Sequence, residues 1–317
     1  MKRLVLPLAL LTTAPALPPP AHAAGTLTRA FVSSAGNDSN PCSITAPCAT
    51  FAAAYAAVVS NGIIAALDPG KYGPLTITGP VTIDGYGWAA ITAPSMVASA
   101  AITINAHSGD KVSLRGLILD GAGAANTTGI NFNSGASLNI ESCVVRNMTA
   151  SGLSFQQNAT TAQALAVSDS HFNNNGPYGV VVDTVNSGNA TSSFDRTEFD
   201  SNVDSGINAF GLGTSTGINT VAVTDSVASN NGSQGFWANS SAGAGGIVIM
   251  TLTRSLVVGN AVGVETQGTN ATIWLAQSTV TGNGSGYLTS GGTINTFVNN
   301  YITDTNNTGS LTPAGKQ

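Results

Sequence analysis

The stretch Val167-Ser168-Asp169-Ser170-His171-Phe172-Asn173-Asn174-Asn175-Gly176-Pro177-Tyr178-Gly179-Val180 returns in outline 27 residues later, where Phe194-Asp195-Arg196-Thr197-Glu198-Phe199-Asp200-Ser201-Asn202 leads to Gly206-Ile207. Val223-Thr224-Asp225-Ser226-Val227-Ala228, followed by Asn230 and Gly235, is a third copy. Working outward from these units, a small residue precedes an apolar one at Gly73, Ala101, Gly129, Gly152, Gly179, Gly206, Gly235, Gly263, Gly286 and Gly309, with spacings of 28, 28, 23, 27, 27, 29, 28, 23 and 23 residues. The apolar partners are Ile102, Ile130, Leu153, Val180, Ile207, Phe236, Val264 and Tyr287, while Pro74 and Ser310 break the rule at the two ends, where a stacked array is atypical.

Further columns lie upstream of each Gly. Ile140, Val167, Phe194, Val223, Leu252, Leu275 and Phe297 form one apolar column, and Val145, Phe172, Phe199, Ala228, Val257, Val280 and Ile302 a second. Between them runs a small or polar column of Cys143, Ser170, Thr197, Ser226, Ser255, Ser278 and Asn300. Asn147, Asn174, Asn202, Asn230, Asn260, Asn283 and Asn306 mark the following turn. A unit this short cannot bury its own apolar face, so units must stack, and the columns become inward ladders with rungs about 4.8 Å apart. Asn suits the corners because it tolerates the left-handed backbone conformation and bonds along a ladder of equals. The longer period between Gly152 and Gly263 places the extra residues in loops on one face. Helical repeats are excluded by the Gly, Asn and Thr content and the lack of a 3.6-residue stripe, and leucine-rich repeats by the lack of several Leu per unit.

Composition agrees with many short strands and turns. Of 317 residues, 8% are charged, 42% are hydrophobic and 37 are Gly. With a net charge of −5 and ten scattered Lys and Arg, the chain is no nucleic-acid binder. Lys2 and Arg3, an apolar run from Leu4 to Leu11 and Ala21-His22-Ala23 read as a secretory leader, residues 1–23, and the protein is then periplasmic or extracellular. The apolar run is too short to span a bilayer, and no later segment is long enough. In an oxidising compartment Cys42 and Cys48 are expected to pair, leaving Cys143 as a buried small residue of the core.

Residues 24–72 form an N-terminal cap region. Pro47 to Asn61 is expected to be a helix ended by Gly62, its Phe51, Tyr55 and Val58 covering the open end of the solenoid. Gly62 to Tyr72 then reads as a buried strand closing in a turn. The Cys- and Pro-rich lead-in, helix, apolar strand and Asp68-Pro69-Gly70-Lys71-Tyr72, followed by coils of the form seen at Val167 to Val180, resemble the pectin-lyase-like right-handed parallel β-helix superfamily over about Gly25 to Gly309. That resemblance implies an all-β solenoid, here of about ten coils over residues 73–310 with a tail at 311–317. It leaves function open, because the superfamily includes lyases, hydrolases, epimerases, adhesins and phage tail proteins.

Chemistry is sparse. The Asp-Asp, Gly-His-Gly and Arg-Ile-Lys signatures of polygalacturonase-like members are absent. Asp195, Glu198, Asp200 and Asp204, with Arg196 among them, are the candidate cluster for carboxylate catalysis or calcium, against the reading that they are solvated surface groups. Asp169, Arg196, Asp225 and Arg254 recur at one corner with alternating sign and are expected to form a register-setting charge ladder. His171 should point outward as a lone surface histidine. Trp237 and Trp274 are expected to face out as candidate glycan-stacking residues. Together these features favour an exported β-helix that binds a polysaccharide or cell-surface glycan along its side; a polysaccharide lyase or glycoside hydrolase is the alternative, and a structural or adhesive surface protein a third. N-terminal sequencing of the exported protein is expected to begin at Ala24, and a start at Met1 would refute the leader.

Overall fold

The computed structural model describes residues 25–94, 99–157, 159–213, 215–241 and 245–315; the leader expected at 1–23 lies outside them. The chain coils into a right-handed parallel β-helix. In the first coils Val81–Thr92 and Lys111–Asp120 each run as one continuous strand where later coils have two. From Ser137 to Thr281 each coil places a long strand and a three-residue strand in one sheet of twenty strands, and a third strand in a second sheet of nine. In one coil these are Gln163–Ser168, His171–Asn173 and Tyr178–Thr184, and each pairs in parallel with its counterpart in the next coil, Ala190–Asp195, Glu198–Asp200 and Ser205–Gly211. The nine-stranded sheet counts nine coils where about ten are expected from sequence. The Gly309 unit falls short because only one bridge, Leu288 to Thr308, forms there.

The apolar columns lie inward and in register. Val145, Phe172, Phe199, Ala228, Val257, Val280 and Ile302 are successive rungs. Phe297 is the exception. Thr296 takes the rung opposite Leu275, and Phe297 packs instead on the outward Trp274, with ring centroids 6.1 Å apart. The small column is a buried hydroxyl ladder: the Ser226 hydroxyl accepts from the Thr197 N–H of the coil before and donates to the Thr224 carbonyl of its own coil. Ser255 and Ser278 repeat the pattern. Cys143 occupies one rung, fully buried, and burial pushes its thiol up to about 12.

The asparagines divide into two adjacent columns that the sequence alignment had merged. Asn147, Asn174 and Asn230 are the bends, with φ of 57°, 53° and 55°. Asn175, Asn202, Asn231, Asn260 and Asn283 form the internal ladder. The Asn202 Oδ1 accepts from both the backbone N–H and the side-chain amide of Asn175, while its own amide donates to the Phe172 carbonyl on one side and to Asn231 Oδ1 on the other. One side chain thus joins three coils. The adjoining glycine column is steric: a β-carbon on Gly179 would lie 2.7 Å from the Gly206 carbonyl oxygen and 2.9 Å from the Asn202 amide.

At the N-terminal end the helix is shorter than expected, Phe51–Ala57 instead of Pro47 to Asn61. Thr50 caps it by accepting from the Ala53 N–H, and Val58 onward belongs to the strand Val58–Ala66. The β-branched Val58 and Val59 favour the extended state, and pairing with Leu27–Val32 and Val81–Thr92 outweighs the alanine-rich helical preference. Phe51, Ala54 and Tyr55 are buried against the first strands of both sheets. Cys42 and Cys48 form the expected disulfide. The Asp68 carboxylate of the Asp-Pro-Gly-Lys-Tyr turn accepts from the Ser33 hydroxyl, the Ser34 N–H and the Tyr72 hydroxyl, so that motif is a structural clasp.

Asn202→Ala is expected to destabilise the protein by about 3 kcal/mol, because it leaves the Asn175 N–H unpaired inside the solenoid and removes the bonds to the Phe172 carbonyl and to Asn231. Urea denaturation checks this, and a loss below about 1 kcal/mol would contradict a ladder that carries stability.

Candidate functional site

Alternation along the nine-stranded sheet turns every second side chain outward, and parallel register stacks these into rows. One row runs Thr103, Asn131, Ser154, Val181, Asn208, Trp237, Glu265 and Leu288. By rung count it is roughly 34 Å long. A second row beside it runs Gln156, Asp183, Phe210, Asn239 and Gln267. The four longer coils place their extra residues after these strands, among the described residues at 159–162, 185–189, 212–213, 215–217, 240–241 and 245–246, so the insertions gather along one edge of this sheet as the period predicts.

The N-terminal part of this face is an open groove of about 380 Å³ lined by Ala100, Thr103, Asn126, Thr128, Asn131, Ala150, Ser154 and Gln156, all uncharged. Further along, polar groups are recessed. Asn208 and Glu265 flank Trp237 in the row and are buried, at 4% and 9% exposure. The Ser205 hydroxyl donates to Gln234 Oε1 and the Gln234 amide donates to Glu265 Oε2, at 2.8 and 2.6 Å. Asn208 hydrogen-bonds the Tyr178 hydroxyl, yet its Oδ1, the Trp237 Nε1 and the Asp183 Oδ1 are buried with no partner among the described residues. Burial pushes the Asp183 carboxyl up to about 6. Burial also raises Glu265, against the hydrogen bond from Gln234 and helped by the nearby charge of Asp204.

The carboxylates picked out from sequence do not assemble. Asp195 is paired with the neighbouring Arg196, Glu198 with His171, and Asp200 accepts from Ser201, Ser229 and Asn230. Asp204 stands apart from them, where its charge reaches Glu265 and Tyr178. Among the described residues no three Asp, Glu, His or Cys side chains gather as a metal-holding group. His171 does point outward, but it is not alone: its Nδ1 lies 3.0 Å from Glu198 Oε2 one rung away. The charge ladder is present as two separate pairs. Arg196 holds Asp169 through two bonds of 2.7 and 2.9 Å, and Arg254 holds Asp225 at 2.8 and 2.7 Å. All four residues are bends with positive φ on one exposed edge.

Trp237 is half-buried on the nine-stranded sheet, whereas Trp274 is on the twenty-stranded one, where it borders an opening of about 440 Å³ with Phe297, Ala314 and Gly315. They do not form one platform. Sequence reasoning passed over Asp183, Asn208, Gln234 and Glu265, because side chains gathered on one sheet face from four successive coils have no signature in the chain. It also passed over Tyr86 and Trp88, an exposed pair with ring centroids 5.6 Å apart, raised on a bulge of Val81–Thr92.

No family model and no curated protein matches the chain. Among solved structures it is similar to pectate lyase Pel9A, at 18% identity and a TM-score of 0.60 over 90% of this chain and 79% of that one. The A-module of mannuronan C-5 epimerase AlgE4 from Azotobacter vinelandii aligns at 15% identity and a TM-score of 0.48, over 81% of this chain and 89% of that one. PfbA, a surface adhesin of Streptococcus pneumoniae, aligns at 10% and 0.41, over 79% and 85%. The likeness to Pel9A establishes the fold.

The raised Asp183 carboxyl holds its proton more tightly folded than unfolded, so it favours folding below about pH 4 and that contribution is lost as pH rises to about 6. Above that window the ionised, partly exposed group costs about 1 to 2 kcal/mol. Asp183→Asn is therefore expected to raise the melting temperature at pH 8 and not at pH 4; an equal effect at both values would contradict the assignment.

Proposed function

We propose that this chain is an exported β-helix protein that binds an extended glycan along the outer face of its nine-stranded sheet. The observation that carries this reading is the recessed row around Trp237. A half-covered indole is flanked by buried amide and carboxyl groups, and it continues in register into an open groove of hydroxyls and amides. An aromatic face with fixed hydrogen-bonding groups beside it matches a sugar ring, which has an apolar face and a polar rim. The length of the row suits a polymer better than a single small molecule. Pectate lyase Pel9A, which shares the fold, carries a polysaccharide in its name, and the Cys42–Cys48 disulfide favours an oxidising compartment outside the cytosol.

Catalysis on a carbohydrate is the second reading, and Glu265 favours it, because burial shifts its carboxyl upward, the direction a general acid requires. Asp183 cannot serve as its partner. The two are three rungs apart, about 14 Å, beyond the ~5 to ~9.5 Å over which paired carboxyls cleave glycosides.

Trp237→Ala is expected to weaken binding of the protein to its glycan by about 2 kcal/mol, some thirtyfold, in calorimetry. Equal loss from Trp274→Ala would move the site to the other sheet. Release of new reducing ends or unsaturated products, abolished by Glu265→Gln, would establish the second reading.

A further inference from the structure

We infer that the glycan is a neutral polysaccharide and not a polyanionic one. This inference rests on the binding face proposed above and concerns what that face selects. None of the nine strands, from Leu75–Ile77 to Ser285–Ser290, carries a Lys, Arg or His. A polymer with a carboxylate or sulfate on each unit is ordinarily held by such groups, above all by the fork of an arginine.

Every Lys and Arg among the described residues lies elsewhere, and four of the arginines are engaged with carboxylates. Arg115 pairs with Glu141, Arg146 with Asp120, Arg196 with Asp169 and Arg254 with Asp225, all on the twenty-stranded sheet or its corners. The titratable groups that face the row around Trp237 from its own and neighbouring strands are Tyr178, Asp183, Asp204 and Glu265, three of them acidic. At physiological salt the screening length is about 8 Å, so an anionic polymer lying in the row would meet these charges only partly screened. Like charges brought together select against such a partner. Among the described residues no three acidic or imidazole groups gather, so the face offers no cluster of charged ligands to hold a bridging cation.

The groups that remain are those a neutral sugar uses. The groove at the N-terminal half presents hydroxyls of Thr103, Thr128 and Ser154 and amides of Asn131 and Gln156, which donate and accept equally well. Trp237 adds the stacking surface. The arrangement fits a hexose or pentose polymer without carboxylate or sulfate.

Calorimetry on the mature protein with neutral oligosaccharides (β-glucan, mannan and xylan fragments) and with oligogalacturonate and oligoalginate, with and without calcium, tests this. At least one neutral series is expected to bind about tenfold or more tighter than either uronate series. Its affinity should change by less than about twofold between about 0.05 M and 0.5 M NaCl, while any residual uronate binding strengthens with salt as repulsion is screened. Uronates that bind best, or whose binding weakens with salt, would overturn the inference; if that binding were still lost in Trp237→Ala, the binding face itself would stand. Failure of every series to bind would overturn both.

Discussion

At each bend of a parallel coil the strand ladder stops, and the backbone groups left there face a dry interior. In this protein an asparagine side chain takes them up, its Oδ1 accepting an N–H from one coil and its amide meeting a carbonyl of that coil and the next asparagine along the axis. An unpaired buried amide or carbonyl costs on the order of 1 to 3 kcal/mol, so five consecutive rungs of this kind oblige the coils to remain in register. The glycine column follows from it, since a β-carbon there would collide with the ladder. The hydroxyl ladder at the other bend works similarly, by different chemistry.

Register inside determines what appears outside. Once Val180, Ile207, Phe236 and Val264 are stacked inward, pleating brings Val181, Asn208, Trp237 and Glu265 into one outward row, although 27 to 29 residues separate neighbours in the chain. The recessed polar groups of that row, and Asp183 in the row beside it, are a cost the interior ladders can bear. The opposite edge shows the contrasting use of charge. There acid and base pair across a rung at exposed bends, which satisfies the charges and leaves them little capacity for a ligand.

The division between the two sheets is therefore chemical as well as geometric. Among the described residues every Lys and Arg lies on the twenty-stranded sheet or its bends, and the nine-stranded sheet is uncharged at one end and acidic toward the other. Electrostatics of this kind influence partner choice more than stability. The fold it shares with Pel9A carries no such information, because function belongs to the site and not to the solenoid.

The sequence by itself determined the solenoid: its period, its inward apolar columns, the glycine column, the Cys42–Cys48 pair and the corner at which the long coils carry their insertions. These were legible because each unit repeats its neighbour, so a column is visible as a spacing. It blurred what depends on a shift of one residue. The merged asparagine columns, the place of Phe297 and the length of the helix before Val58 turn on strand pairing, which outweighs local preference and has no spacing of its own. Candidate carboxylates adjacent in the chain, Asp195 to Asp204, were dispersed among separate partners, while Asp183, Asn208, Trp237 and Glu265, far apart in the chain, came to share one face. Only the tertiary structure decided that, because in a parallel stack the neighbours of a side chain along the axis come from other coils.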